Sequence, residues 1–327
     1  MLMRPLLSVV IPFYNVEKYI AQCLDNVFNQ DIPEEEYEVI CVNDASPDHS
    51  RDIVLEFQKK HPNLVLVDHD VNKKLGAARN TGRRVARGKF IWNVDSDDYI
   101  VPNCLGRIVT LCESCCLDVF IFNQVCEKDG ERYLEDISPW TEMNDPVSGL
   151  VFWKTQCLTH PEKICPIWNK VFRRAFLDDN SIYSPEINMG EDTPFSIESV
   201  IKARRVLASN ETYYVHNKNT TSLTSSLQRT PSPLTVYENS FICGRHLNRI
   251  VRKVPWKEYR IRKSIESVDK SIVYSFIPFI HLMTEPEVLE FRHICRKGLI
   301  DNRFVFGLFG RKTMLKFLLF VFVKGRI

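Results

Sequence analysis

Apolar runs alternate with amphipathic stretches through the first hundred residues. Leu7-Ser8-Val9-Val10-Ile11 is a β-rich apolar run closed by Pro12, which predicts a buried strand. After Asn15, the apolar residues Ile20, Leu24, Val27 and Phe28 recur at helical spacing. Residues 37–42 read as a second strand ending in Asn43-Asp44-Ala45-Ser46-Pro47-Asp48, with Ile53, Val54 and Phe57 on one face of the helix behind it. A third strand over 64–67, a third helix over 75–86 closed near Gly88, and a fourth strand over 90–94 follow. The last of these runs straight into Asp95-Ser96-Asp97-Asp98. Such alternation predicts an α/β fold: βαβ units in a mostly parallel sheet with helices on both faces. In open sheets of this kind ligands lie beyond the carboxyl ends of the strands, and every acidic cluster falls there.

Past residue 100 the alternation loosens. A helix over 105–116 and a strand over 119–122 are expected, and residues 126–146 read as a polar, turn-rich loop. The segments Trp168-Asn169-Lys170-Val171-Phe172 and Met189-Gly190-Glu191-Asp192-Thr193-Pro194-Phe195 precede a strand-like stretch over 205–214. Residues 225–233, rich in Ser, Thr and Pro, read as a linker to a helical C-terminal region. The expected division is therefore 1–225 and 226–327.

Charge sharpens that division. The 327 residues carry 43 Lys/Arg and 41 Asp/Glu, a balance that argues against a nucleic-acid binder. From Ser226 onward there are 19 Lys/Arg against 8 Asp/Glu, so a basic C-terminal region follows an acidic body. From Phe291 the excess is nine bases against Asp301 alone, interleaved with Phe, Leu and Val. That pattern predicts association with an anionic membrane surface. No apolar run reaches spanning length, and the short apolar start stopped by Pro12 does not read as a secretory signal. Eleven cysteines without a framework suit a reducing, cytoplasmic compartment, and the Cys112, Cys115, Cys116 cluster lacks the partners of a zinc site.

Asp95-Ser96-Asp97 offers two carboxylates two residues apart at a strand end, hard oxygen ligands of the kind Mg²⁺ or Mn²⁺ takes beside substrate phosphates. His216, after Tyr213-Tyr214-Val215, is a candidate to complete a metal site or contact a diphosphate. Taken in order, Pro12-x-Tyr14-Asn15, Asn43-Asp44-x-Ser46-x-Asp48, Gly76-x-x-Arg79-Asn80-x-Gly82 and Asp95-Ser96-Asp97-Asp98 closely resemble the motifs of family 2 glycosyltransferases of GT-A fold. The resemblance is strong over 6–102, continues through Asn169-Lys170 and Gly190-Glu191-Asp192-x-x-Phe195, and fades after about residue 225.

The resemblance implies a nucleotide-sugar-binding half over 1–102 and an acceptor half over 103–225. It gives Asp44 the nucleotide base, with Asn43 a departure from the family's Asp-Asp pair. Pro12, Tyr14 and Asn15 would line the base and ribose pocket, and Asp95, with Ser96 beside it, would meet the ribose. Asp97 would hold the metal and diphosphate, and Arg79 would lie near the diphosphate or shape the donor pocket. Asp192 would be the general base, with Glu191 beside it. The implied reaction is inverting transfer from a nucleoside diphosphate sugar to a glycan or lipid-linked acceptor at the cytoplasmic face of the membrane. A nucleotidyltransferase is the rival enzyme, but it usually carries a Gly-rich basic loop where this chain has Pro12-Phe13-Tyr14-Asn15. A non-catalytic nucleotide-sugar or membrane-binding scaffold is the rival outside enzymes.

Overall fold

The first strand, β1 (Leu7–Phe13), is buried along its whole length because both of its faces are covered. The computed structural model describes residues 4–276 apart from 129, 134–139, 188 and 219–232, together with 286, 289, 290 and 293. The chain divides into two units, Met1–Ser225 and Ser226–Ile327.

In the first unit, β1 is followed by α1 (Ile20–Phe28), β2 (Tyr37–Asn43), α2 (Ser50–Lys60), β3 (Leu64–Asp68), α3 (Leu75–Val85) and β4 (Phe90–Asn93). The expected βαβ alternation is present, and β3, β2, β1 and β4 lie side by side and parallel. Alternation along β1 feeds two cores. Leu7, Val9, Ile11 and Phe13 join Ile20, Leu24 and Val27 of α1, while Val10 joins Ile40, Val42 and Ile91 under Ala78 and Ala86.

The far half of the sheet is mixed. After β5 (Tyr99–Ile100) and α4 (Leu105–Ser114) come β6 (Val119–Lys128), β7 (Glu131–Tyr133), the short α5 (Gly149–Phe152), β8 (Lys170–Arg173), α6 (Arg174–Asp179), α7 (Asp192–Lys202) and β9 (Val206–Asn217). The strand β8 inserts antiparallel between β4 and β6, and β9 runs parallel to β6 before pairing antiparallel with β5. One expectation is corrected here. The polar stretch from residue 126 does not begin a loop, because β6 continues to Lys128 against His216 and Asn217 of β9 and turns back through β7. Its polar residues mark a sheet margin, where side chains meet solvent.

The second unit contains a helical hairpin, α8 (Pro233–Lys253) and α9 (Tyr259–Phe276). Cys243, Leu247, Ile250, Val251 and Val254 are buried at helical spacing, as are Ile261, Ile265 and Val268. The expected linker over 225–233 lies outside the described residues but for its last position, and the basic segment from Phe291 lies outside them but for His293.

Two motif glycines follow from the close seat of α3. A Cβ on Gly82 would stand 2.3 Å from Val10 Cγ1, and one on Gly76 would meet Pro185 O at 1.7 Å. We expect Gly82→Ala to lower stability by about 1–3 kcal/mol, as for overpacked cores. Urea denaturation measures it, and Val10→Ala in the same chain should recover part of the loss by making room.

Candidate active site

The register of the parallel strands sets where the acids stand. Phe13 pairs with Asn43, Asn43 with Asp68, and Val10 with Asn93, so the loops after β1, β2 and β4 open on one rim. Those loops are stitched together by side chains. Ser46 Oγ accepts from Asn15 N at 2.7 Å, Ser50 Oγ from Val16 N at 3.0 Å, and Asp48 Oδ2 from Glu17 N at 2.9 Å. Ser46 and Asp48 therefore join the two loops, and Asp48 also accepts from Ser50 N at the start of α2 at 3.1 Å. Asn15 takes φ of 57° in this turn, a conformation Asn tolerates better than most residues. Pro12 is buried in β1, and Tyr14 is exposed at the rim.

Asn43 has a local reason to be an amide. It donates to Asp68 Oδ1 at 2.8 Å and accepts from Ser46 N at 2.8 Å, whereas an Asp would set a second carboxylate against Asp68. Asp44 is buried and accepts from His69 Nδ1 at 2.8 Å and from the backbone N–H groups of Lys73 and Lys74 at 2.8 and 3.0 Å. An ionised carboxylate has about four acceptor sites, so three bonds leave room for one more. His69 reaches on to Thr81 Oγ1 at 2.9 Å and fixes the orientation of Asp44. Sequence reasoning passed over His69, whose one signal was its place at the carboxyl end of β3.

Arg79 is the junction of the site. It is 3% exposed on α3 and donates from Nη1 to Glu191 Oε1 at 2.6 Å and to Asp192 Oδ1, and from Nη2 to Asp95 Oδ1 at 2.7 Å. Its Nε has no partner among the described residues, so the terminal nitrogens alone hold the three acids. Arg79 thus ties the end of β4 to the start of α7. Glu191 and Asp192 open α7 after Gly190, whose φ of 81° favours glycine. Neither caps the helix with its side chain. Both turn to the guanidinium instead.

One positive charge cannot neutralise three carboxylates. Burial, then the neighbouring Asp192, push the Glu191 carboxyl up to about 8, against the pull of Arg79. Burial also raises Asp192, opposed first by Arg79, and a hydrogen bond from Glu191 favours its ionised form. Glu191 therefore holds its proton well above the ordinary carboxylate range, while Arg79 pulls Asp192 toward its ionised form against the effect of burial. The Asp192 side chain is 24% exposed and Asp95 25%, so both reach solvent from this buried network.

Ser96 is buried between Asp95 and Asp97. The β5–β9 pairing brings Asp97 and Asp98 beside His216 and Asn217: Asn217 Nδ2 donates to Asp97 O at 3.2 Å, and Asn217 N to Asp98 Oδ1 at 2.8 Å. Asp98 is withdrawn from the site, since Tyr214 Oη donates to it at 2.7 Å and burial raises its carboxyl well above the usual range. Tyr214 stacks on Trp168 at 4.5 Å, and His216 lies 5.7 Å from the same indole. Lys170, named in the sequence only as part of the Asn169-Lys170 motif, is wholly buried on β8 and donates to Asn169 Oδ1 at 2.6 Å and to Pro166 O. Burial pushes its ammonium down to about 7.

The raised Glu191 carboxyl has a stability consequence. A folded state that holds a proton the unfolded chain has released loses stability as pH rises between the ordinary carboxylate range and about 8. Urea midpoints measured across that interval should fall with pH, and Glu191→Gln should flatten the slope.

Comparison with known proteins adds the family. Residues 8–180 match the model described as Glycosyl transferase family 2. An uncharacterized glycosyltransferase of Bacillus subtilis, EpsJ, is 31% identical over 68% of this chain and 64% of its own length. A poly(ribitol-phosphate) beta-glucosyltransferase of Bacillus spizizenii is 34% identical over 64% of this chain, which spans only 32% of that protein. The solved structure of Staphylococcus aureus TarS 1-349 in complex with UDP-GlcNAc is 26% identical with a TM-score of 0.67, covering 89% of this chain and 79% of that one. With the motif loops on one rim, this α/β sheet has the GT-A fold, and the chain belongs to glycosyltransferase family 2.

Proposed function

We propose that the chain transfers a sugar from a nucleoside diphosphate sugar, most simply UDP-linked, to a hydroxyl of a glycan or lipid-linked acceptor, with inversion. The observation that carries this reading is the convergence of Asp95, Glu191 and Asp192 on Arg79 at the strand ends, with Asp192 still open to solvent. UDP is supported by the similar TarS structures that hold UDP and UDP-GlcNAc. A glycan acceptor is supported by relatives named for glycosylating poly(ribitol-phosphate).

In this reading Asp192 takes the proton of the acceptor hydroxyl as its oxygen bonds to the anomeric carbon. The bond to the diphosphate breaks, and its electron pair leaves with the nucleoside diphosphate. Attack from the face opposite the leaving group inverts the centre. Glu191 keeps its own proton directed at Asp192, which preserves a single ionised base, and Arg79 holds both in register. Pro12, Tyr14 and Asn15 line the nucleoside pocket, Asp44 accepts from the base with its remaining lone pair, and Asp95 and Ser96 border the ribose.

The donor set suits Mg²⁺ or Mn²⁺. Asp97 is a partly exposed hard ligand, and strand pairing brings its segment beside the imidazole of His216. Among the described residues no three His, Cys, Asp or Glu side chains form a ready-made cation site, so Asp97 and His216 would leave the remaining positions to diphosphate and water. When bound, the ion supplies positive charge against the leaving diphosphate.

No helix among the described residues is long and apolar enough to cross a membrane. The basic, aromatic-rich segment from Phe291 supports a peripheral position on an anionic cytoplasmic face, where lipid-linked acceptors would be met.

Asp192→Asn keeps the shape of the site and removes the base. Transfer from UDP-sugar should fall by about 10²–10⁴-fold. UDP affinity should stay near that of the parent chain, and near-normal transfer by the variant would refute the assignment. Metal dependence is read separately by calorimetry with UDP: binding should weaken in EDTA, and Asp97→Ala should reproduce the weakening in Mn²⁺. Equal affinity with and without chelator would remove the metal from the account.

A further inference from the structure

The hairpin of the second unit ends in an unusual turn. Glu258 N donates to Pro255 O at 2.9 Å, which closes a β-turn with Trp256 and Lys257 at its two central positions. Val254 before the turn and Ile261 after it are buried, so the hairpin core anchors both ends of the turn. Trp256 itself is 83% exposed and Tyr259 62%, and no other large hydrophobic side chain among the described residues is as exposed as Trp256. Around them stand Arg252, Lys253, Lys257 and Arg260, all exposed, and Glu258 is the one acid in the turn. None of these four bases is ion-paired among the described residues.

We infer that this turn is a membrane-contact site, which sets the indole of Trp256 and the ring of Tyr259 at the headgroup level of an anionic bilayer. Three features select that partner. An indole this exposed is unfavourable in water and suits an interface, where one end of the ring is apolar and the other wet. Bases with no ion pair among the described residues stand around the aromatics, which matches an anionic surface. The turn is also a protrusion between two helices, and a protrusion fits a plane, whereas a chain-like ligand is usually held in a groove. The inference does not depend on the proposed transfer reaction, and it concerns a described surface distinct from the segment after Phe291.

The protein carries its own reporter. Of its five tryptophans, Trp92, Trp140 and Trp153 are buried and Trp168 is half-buried, which leaves Trp256 as the solvent-sensitive fluorophore. The experiment titrates the full chain with vesicles of phosphatidylcholine alone and of phosphatidylcholine mixed with phosphatidylglycerol. The mixed vesicles should shift the emission to the blue, brominated acyl chains should quench it, and high salt should reverse both. Trp256→Phe should abolish the shift while leaving hydrolysis of UDP-sugar at the parent rate, so this inference and the catalytic proposal fail separately. Lys253→Gln combined with Lys257→Gln should weaken the vesicle response about 25-fold, taking about fivefold per basic residue near such a surface. An unmoved emission while the chain co-sediments with vesicles would overturn the inference, as would equal shifts on neutral and anionic vesicles. A shift given by soluble inorganic polyphosphate and not by vesicles would also overturn it, in favour of a polyanionic chain.

Discussion

One buried guanidinium faces three carboxylates, and the arrangement of the site follows from that imbalance. Arg79 comes from α3, Asp95 from the end of β4, and Glu191 and Asp192 from the start of α7. Removing such charges from water costs several kcal/mol per ion, and only close pairing offsets it. Buried Lys170, pushed down to about 7, adds only part of a further charge toward Asp192, so the least costly solution keeps one carboxyl protonated. Glu191 is the more buried of the two adjacent acids and its carboxyl is pushed up to about 8, while Arg79 pulls Asp192 toward its ionised form. Structural economy and candidate chemistry have the same origin here.

The sheet makes that junction possible. Close packing of Gly82 on Val10 and of Gly76 on the 185–187 segment seats α3 so that Arg79 points at the rim. Side chains of the loop after β2 and of the first residue of α2 hold three consecutive backbone N–H groups of the loop after β1, which ties that side of the rim together. Asp98 and Tyr214 fix the opposite margin, where Asn217 also holds the Asp97 backbone.

The amino-acid pattern made the parallel half of the sheet legible, because β1, β2 and β4 are continuous apolar runs and their helices have one apolar face. Asp44, Asp95 and Asp192 could be singled out since each ends a strand or opens a helix beside a Gly or Pro signal. The mixed half was harder to read. Strands β5 and β8 are too short for a period-2 pattern, and Lys170 sits wholly buried in β8 where a charged residue argues against a strand. The polar end of β6 looked like a loop because its polar residues show no period-2 apolar pattern, although it pairs with β9 on one edge and β7 on the other. Long-range partners were illegible for a simpler reason: nothing local to residue 79 announces acids 112 and 113 positions away. Asn43 was visible as a departure, but its cause, the carboxylate of Asp68 on the neighbouring strand, needed the register.

The account's central claim is that Arg79 and Asp192 act as one charged unit, and a double-mutant cycle on folding stability tests it most directly. Arg79→Met alone should cost about 3–5 kcal/mol, because it leaves buried acid without its partner. Asp192→Asn added to Arg79→Met should recover part of that loss, giving a coupling energy of about 0.5–3 kcal/mol between the two sites. Strict additivity of the two substitutions would contradict the claim and reduce the guanidinium to a packing element.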